Sequence, residues 1–510
     1  MDLIYNIQIK YNRMLIEREK EILKLIGLNN DNIEIEVRFG IVTNGKYNNT
    51  VPYLYYSRLQ SFLEKNSEPI ISNTTDELNG NIRKSNLNGE ISWLNKKNIY
   101  QYTSHDFGIL LSVSREIKLD SEILNWDPKV LRVKSRKSFI LANGSCRLDL
   151  TAVDQTIFET GKTLNHYEVE LEVLDNQQLK TFFNTIDDVF RWMYNTEEIW
   201  TYPERDEVIR FTNYLIQGKG NNIDTSMLKQ LRNLKWEDCV NGGIIENKDT
   251  SYCVSHKADG VRKLLLCSKS GIWILYPNYE FNKISQEINP NLIGALLYIE
   301  EVPFENRIGD TPPKTKYWTL IFDCVAIDGD SNVSKQDYDL RMIKAQKISD
   351  GINDQFNYNL ITVGTIKYRI IENADAFFSL CREFLNEKLI LNYKDDGLIF
   401  TPMNVPVQPH SDKLPLNKRI LTLNPDVCKW KPKEYLTNDF AIHWTMKESG
   451  KILNLDVTSN TEVEFLIYGR PPSVNRNIRF ESGNIYAFKW DSYKKFFVHV
   501  GFSRKTYPHF

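Results

Sequence analysis

The chain has 510 residues, 41% of them hydrophobic, with 64 basic against 66 acidic side chains. So even a balance excludes a protein that coats polyanions through net charge, and any contact with nucleic acid must come from local patches. The length suits two to four domains, each able to bury its own core. The seven cysteines stand at 146, 239, 253, 267, 324, 381 and 428 with no C-x-x-C pair, which argues against a disulfide framework or a zinc site. No cationic start with an apolar h-region is present, and no run approaches the roughly eighteen apolar residues of a membrane span. A cytoplasmic setting is expected.

Ile4, Ile7, Ile9, Leu15, Ile22, Leu23 and Leu25 recur at helical spacing, so a helix is expected within residues 3–28. Strand-like alternation then dominates to about residue 175. In Ile33-Glu34-Ile35-Glu36-Val37-Arg38-Phe39, Glu34, Glu36 and Arg38 share one face; in Tyr167-Glu168-Val169-Glu170-Leu171-Glu172-Val173, the three glutamates share one. Either strand alone also fits a half-buried sheet with its acids in water. Between them, however, Arg132, Lys134 and Arg136 alternate in the same way, and Arg147, Asp149 and Thr151 share a face. Matched acidic and basic faces suit a closed barrel that is packed outside and polar within. Such a lumen would hold Mg²⁺ or Mn²⁺ on carboxylates and a polyphosphate on Lys and Arg. The stretch Gln177 to Tyr194 reads as an amphipathic helix closing this region, and Gln217-Gly-Lys-Gly-Asn-Asn222 as a linker.

From about 224 to 440, short apolar strands alternate with helical stretches, as in an α/β or α+β domain. Lys257-Ala258-Asp259-Gly260-Val261-Arg262 falls in a strand-loop-strand context. The hexapeptide pattern K-x-D-G-x-R arises by chance in fewer than about one in a hundred chains of this length; the tetrapeptide alone would more simply be an Asp-Gly turn. A lysine attacks phosphorus only as a neutral amine, and nearby cations favour that form. Lys429 and Lys431 stand at strand spacing, so both can reach one cleft, while Asp396 opens an apolar strand and Phe322-Asp323 follow another. Beyond 441 the chain is β-rich, with Phe465 to Tyr468, Ile485 to Trp490 and Phe496 to Val500 as strands. The seven histidines show no ligand spacing and read as structural or exposed, and alternation points His256 away from the cleft.

The first region resembles the triphosphate tunnel metalloenzymes, specifically the metal-dependent RNA 5′-triphosphatases of fungal and large-DNA-virus capping systems. Glu34 and Glu36 match that family's first acidic strand, and Glu168, Glu170 and Glu172 its last. The resemblance implies that these five bind the metal and are catalytic, and that Arg132, Lys134, Arg136 and Arg147 bind the triphosphate, with Arg83 and one of Lys96 or Lys97, taken as Lys97, joining them. The second region resembles the nucleotidyltransferase superfamily of mRNA guanylyltransferases and ATP-dependent ligases. By that resemblance Lys257 forms a lysyl-GMP phosphoramidate, Arg262, Glu301, Phe322 and Asp396 hold GTP, and Lys429 and Lys431 neutralise the α-phosphate.

The usual D-G-E reads Ile299-Glu300-Glu301 here, and Glu301 is chosen because an apolar residue follows it. Asp439 is retained from the N-T-x-D-F element, whereas Arg504-Lys505 is a poor match to the R-x-D-K lid.

The expected fold is α+β. A tunnel barrel (1–216) is followed by a nucleotidyltransferase domain (217–440) and an OB-fold-like β domain (441–510). The expected function is mRNA 5′ capping, with 5′-triphosphate RNA and GTP as substrates and a divalent cation as cofactor. A methyltransferase subunit or RNA polymerase is the expected partner, and the setting is cytoplasmic or, for a virus, the virion. The alternatives are an RNA or DNA ligase with a polyphosphatase-like domain, and a non-catalytic RNA-end-binding subunit.

Overall fold

The computed structural model describes residues 16–24, 33–216, 231–276, 280–305, 315, 317–388, 390–407, 424–432, 438–447, 450–456, 485–491 and 496–502. Among them the expected N-terminal helix is present over 16–24. The linker at 217–222, the strand at 465–468 and Arg504-Lys505 lie outside the described residues.

By backbone packing the chain forms two compact units, residues 1–229, 260–365 and 404–415, and residues 230–259, 366–403 and 416–510. Compactness therefore does not follow chain order. The chain passes from the second unit to the first between Asp259 and Gly260, inside the K-x-D-G motif.

In the first unit β1 (Ile33–Phe39) leads into a small hairpin, β2 (Ile41–Thr43) and β3 (Lys46–Asn48). Then come β4 (Ile70–Asn79), β5 (Ile82–Leu87), β6 (Glu90–Ser104), β7 (Ile109–Leu119), β8 (Val130–Leu141), β9 (Cys146–Ile157) and β10 (Lys162–Val173). Eight of these close into an antiparallel barrel in the order β1-β10-β9-β8-β4-β5-β6-β7, sealed by β1 pairing with β7. This is the barrel that the alternating sequence led us to expect.

Two-residue periodicity decides which face points where. Ile35, Val37 and Phe39 of β1 are buried together with Leu148, Leu150, Val169 and Leu171, against Phe182, Phe183, Ile186, Val189, Phe190 and Met193 of the helix Leu179–Tyr194. The helix thus covers the outer wall with an apolar stripe, and the charged face of the same strands is left to line the lumen. A second helix, Tyr202–Leu215, starts with a capping box in which Thr201 and Glu204 satisfy each other's backbone N–H.

The same unit holds a six-stranded sheet in the order β15-β14-β13-β16-β17-β18. Its strands are β13 (Val261–Ser268), β14 (Gly271–Leu275), β15 (Phe281–Ser285), β16 (Leu296–Pro303), β17 (Tyr317–Ala326) and β18 (Thr362–Thr365). Leu264, Leu266, Trp273, Leu275 and Phe281 share one continuous core with the barrel's outer wall. Lys283 Nζ, fully buried, donates to Glu204 at 2.6 Å, and the Glu198 N–H donates to the Lys283 carbonyl at 3.0 Å.

The second unit carries a five-stranded sheet in the order β11-β21-β20-β12-β19: β11 (Leu231–Asn233), β12 (Tyr252–Ala258), β19 (Tyr368–Ile371), β20 (Asp395–Pro402) and β21 (Asn424–Trp430). The helix Ala374–Glu387 packs Phe377 and Phe384 against Val254, Leu398 and Phe400. Four further strands, β22 (Asn438–Lys447), β23 (Gly450–Asp456), β24 (Ile485–Asp491) and β25 (Phe496–Phe502), form an antiparallel sheet in the order β23-β22-β24-β25. Among the described residues no helix is long and apolar enough to cross a membrane.

Candidate active sites

Strand register brings the glutamates of β1 and β10 onto one inner face. Glu36 lies directly opposite Glu172, and Arg38 opposite Glu170. On the next strands Asp149 is level with Glu170, Thr151 with Glu168, and Arg147 with Glu172. Each carboxylate is met by a base reaching from a neighbouring or next-nearest strand. Arg38 pairs with Glu170 at 2.9 Å and with Glu36 at 3.1 Å, and Arg132 pairs with Glu168 at 2.6 Å. Arg136 reaches Asp149 at 3.1 Å and Glu170 at 3.7 Å, and Arg147 pairs with Asp149 at 3.1 Å and also with Glu172. Lys134 is committed to Asp76 at 2.6 Å, both side chains buried.

Of the lysine pair on β6, Lys96 is the one that enters the lumen. It bonds to Glu34 and stands 3.3 Å from Glu36 and 3.8 Å from Glu116. Lys97 is exposed, because the next residue of a strand points the other way. The choice of Lys97 is therefore corrected to Lys96. Arg83 also faces inward, 3.6 Å from Glu116. Arg38, Asp76, Glu116, Ser112, Ser114 and His166 were not singled out as site residues from sequence. Ser112 and Ser114 donate to Glu36 at 2.9 Å and Glu34 at 3.0 Å, and their alternation on β7 was the available signal.

The lumen carboxylates are unequally compensated. Burial pushes Glu172 up to about 7 despite the pull of Arg147, and burial likewise raises Glu36 against Arg38. For Glu168 burial is outweighed by hydrogen bonds from His166 and by Arg132, which hold it at about 2. Burial is outweighed at Glu170 too, there by Arg38. Among the described residues no three Asp, Glu, His or Cys side chains converge as an ion cage, since bases fill the spaces between them. The donor set itself is right for a hard divalent cation: carboxylate oxygens on adjacent strands, two of which burial pushes toward the protonated form that a bound cation would displace.

In the second unit Lys257 is the penultimate residue of β12 and Asp396 the second of β20. Lys257 Nζ donates to Asp396 Oδ1 at 2.6 Å, and Lys431 binds the other oxygen of the same carboxylate. One buried aspartate thus holds two ammonium groups together, and Lys429 lies two residues from Lys431 at half-buried depth. Gly397 beside Asp396 has φ +155°, and a Cβ there would meet the Trp430 carbonyl oxygen at 2.0 Å, so only glycine lets β20 and β21 close at this point.

In the first unit β13 and β16 pair Arg262 with Glu300, and Arg262 Nε is 3.5 Å from its carboxylate. Phe322 stacks on Tyr298 with centroids 5.7 Å apart, and the Arg262 guanidinium lies 5.6 Å from the Phe322 ring. Arg262, Glu300, Tyr298 and Phe322 therefore share one face. Glu301 lies on the other, bound to the buried Lys263. Glu301 is accordingly corrected to Glu300 as the acid beside Arg262; the apolar residue after it was a weaker guide than strand pairing. Asp323 is also structural here, gripping buried Arg341 at 2.7 Å in the middle of β17, which runs on to Ala326. Asp439 falls on β22.

A closed barrel with an acid-and-base lumen and a K-x-D-G lysine bound to a downstream aspartate are two separate clusters of paired charge, each with cationic groups of the kind that suit phosphate oxygens. Residues 92–200 match the family model for the mRNA capping enzyme beta chain, and residues 244–433 that for the mRNA capping enzyme catalytic domain. Together these segments make up more than half of the chain, which thus carries both a beta-chain segment and a catalytic-domain segment of the mRNA capping enzymes.

A probable mRNA-capping enzyme of Acanthamoeba polyphaga mimivirus is 24% identical over 375 residues, covering 62% of this chain and 30% of the relative. The chain thus spans less than a third of that relative's length. Among solved structures, the S. pombe RNA triphosphatase Pct1 is 17% identical, covers 36% of this chain and 87% of that one, with a TM-score of 0.28. The RNA triphosphatase domain of the mimivirus capping enzyme is 18% identical, covers 34% and 96%, with a TM-score of 0.28.

Proposed function

We propose that this chain caps mRNA 5′ ends in two steps. The barrel removes the γ-phosphate of 5′-triphosphate RNA. Lys257 then takes GMP from GTP as a phosphoramidate and passes it to the diphosphate end. The observation that carries the reading is the pairing of two distinct constellations in one chain: five glutamates facing a basic strand inside a closed barrel, and Lys257 held with Lys431 on Asp396.

In the barrel, Glu34, Glu36, Glu168, Glu170 and Glu172 would hold Mg²⁺ or Mn²⁺, which when bound supplies Lewis acidity and charge neutralisation at the phosphate. Lys96 and Arg38 currently neutralise Glu34, Glu36 and Glu170 and would yield that place to the cation. Released from it, they join Arg83, Arg132, Lys134, Arg136 and Arg147 as donors to the phosphate chain. Arg guanidinium forks suit phosphate oxygens geometrically, and a rigid wall presents them without reorganisation.

At the second site, Asp396 keeps Lys257 and Lys431 within one carboxylate's reach. An incoming α-phosphate offers Lys429 and Lys431 a new anionic partner. Lys257 must give up its proton before attack, and Asp396, which already accepts from it at 2.6 Å, is the carboxylate placed to take it. Attack forms the N–P bond, breaks the α–β phosphoanhydride and expels pyrophosphate, with Lys429 and Lys431 meeting the charge that develops. Arg262 and Glu300 would hold the ribose, and Phe322 would stack on guanine.

The division into segments 1–216, 217–440 and 441–510, a partner methyltransferase or polymerase, and a cytoplasmic or virion setting belong to the same proposal. Seven free thiols support a reducing compartment. The test is incubation with α-labelled GTP followed by denaturation. Label on the wild type and none on Lys257→Ala is expected; label from ATP alone would move the reading to a ligase.

A further inference from the structure

Behind the proposed nucleophile lies a charged arrangement that the chemistry above does not use. β12 and β20 run antiparallel, and their pairing shifts between His256↔Leu398 and Ala258↔Asp395. Two steps along β12 thus match three along β20. A one-residue slip exchanges the faces of a strand. Had the register of His256↔Leu398 continued, Ala258 would oppose Asp396, and Asp395 would share the face of Lys257. The bulge reverses this. Asp395 turns to the helix-covered face, and Asp396 turns to Lys257.

On the covered face the slipped register has a specific holder. His256 is fully buried, with its ring 4.7 Å from Phe384. Its Nδ1 lies 2.9 Å from Asp395 Oδ2 and its Nε2 3.3 Å from Glu387 Oε2. Both ring nitrogens therefore face a carboxylate oxygen at hydrogen-bond distance. Asp395 Oδ1 in turn accepts the Gly397 N–H at 3.1 Å, and Lys367 closes the chain on Glu387. One imidazole therefore ties the bulge to β12 and to the helix Ala374–Glu387.

We propose that His256 is a positioning residue for guanylylation: by gripping Asp395 on the covered face, it holds the slipped β12–β20 register that presents Asp396, and not Asp395, to Lys257. This rests on the lysyl-GMP reading above.

The test is single-turnover label transfer from α-labelled GTP by the full chain, with phosphate release from triphosphate RNA as a control for the barrel. His256→Ala is expected to slow adduct formation at saturating GTP by roughly 10- to 100-fold, as a misplaced catalytic group does. Half-saturating GTP should stay within about threefold, since the loss falls on the chemical step. His256→Asn, whose amide can replace Nδ1 toward Asp395, should recover most of the rate. Asp396→Asn should cost much less in the His256→Ala background than in the wild type, because Asp396 no longer faces the lysine there. If His256→Ala does not fold, Glu387→Gln loosens the same grip from its more exposed end and should slow the adduct several-fold. A wild-type rate in His256→Ala or, where that variant does not fold, in Glu387→Gln overturns the proposal. So does a His256→Asn no better than alanine with strictly additive effects at Asp396. A wild type that takes no label from GTP removes the reading beneath it, and the proposal with it.

Discussion

The barrel lumen and the Lys257 site solve the same problem, holding buried acids and bases together, in opposite ways. In the barrel, many carboxylates on rigid strands are each matched by a base from a strand nearby, so the loss of any one pair leaves the others in place. At Lys257 a single carboxylate, Asp396, is shared by two amines, and its direction depends on one bulge. Redundant charge tolerates imprecision because the field of the wall is a sum. The lysine proposed to attack alone has no such margin, and a change of register that touches no charged partner in the barrel should still slow it.

Mutation can sharpen that contrast. The largest effect should be Lys257→Ala, which removes the attacking nitrogen and should lower covalent label by at least about a thousandfold while leaving RNA phosphate release intact. Glu170→Ala comes next. It leaves Arg38 and Arg136 without their shared acid and should slow phosphate release by about 10²- to 10³-fold, with label transfer unchanged. Unchanged phosphate release would dismiss the barrel as the triphosphatase site.

A smaller pair of effects separates Glu300 from its neighbour. Glu300→Ala should raise half-saturating GTP about tenfold with little change in melting temperature. Glu301→Ala should instead destabilise the fold by about 3–5 kcal/mol, because buried Lys263 loses its partner. Equal effects on GTP would put both acids at the nucleotide.

The smallest effect is a pH dependence. Glu172 titrates at about 7 in the fold against a reference of 4.5, so the folded state retains a proton that the unfolded chain has released. Its contribution therefore turns unfavourable as pH rises from about 4.5 to 7, and the deficit is complete above that. In chelator-treated protein, Glu172→Gln should melt higher than the wild type at pH 8, by about 1–3 kcal/mol, and equal it near pH 4. Glu168, held at about 2, gives the reverse slope, with stability lost as pH falls below about 4.5 toward 2. A Glu172→Gln advantage that grows on acidification would contradict the burial of that carboxylate.

The barrel was legible before any coordinates because β-strands alternate strictly. Once Glu34, Glu36 and Arg38 are known to share a face, the buried run Ile35, Val37 and Phe39 must take the other, and helix Leu179–Tyr194 supplies what covers it. The same rule could not choose between Lys96 and Lys97, since alternation fixes which residues differ in direction and leaves open which of them points inward. Between Glu300 and Glu301 the guide was the apolar residue that follows, which carries no information on facing. Only the pairing of β13 with β16 says which acid is level with Arg262. Asp76 and Glu116 escaped notice because no alternating charged run marks their strands.

By itself the sequence determined the things that are local and periodic: the strand faces, the covering helix, the acid and base residues of the lumen, and a lysine followed by Asp-Gly. Tertiary structure decided the things that depend on register between distant segments: Lys96 at Glu34, Glu300 at Arg262, and the slip of β20 against β12 that gives Lys257 its aspartate. Side-chain direction is set within a few residues, whereas register is set by whichever strand arrives alongside, and a shift of one residue reverses every face.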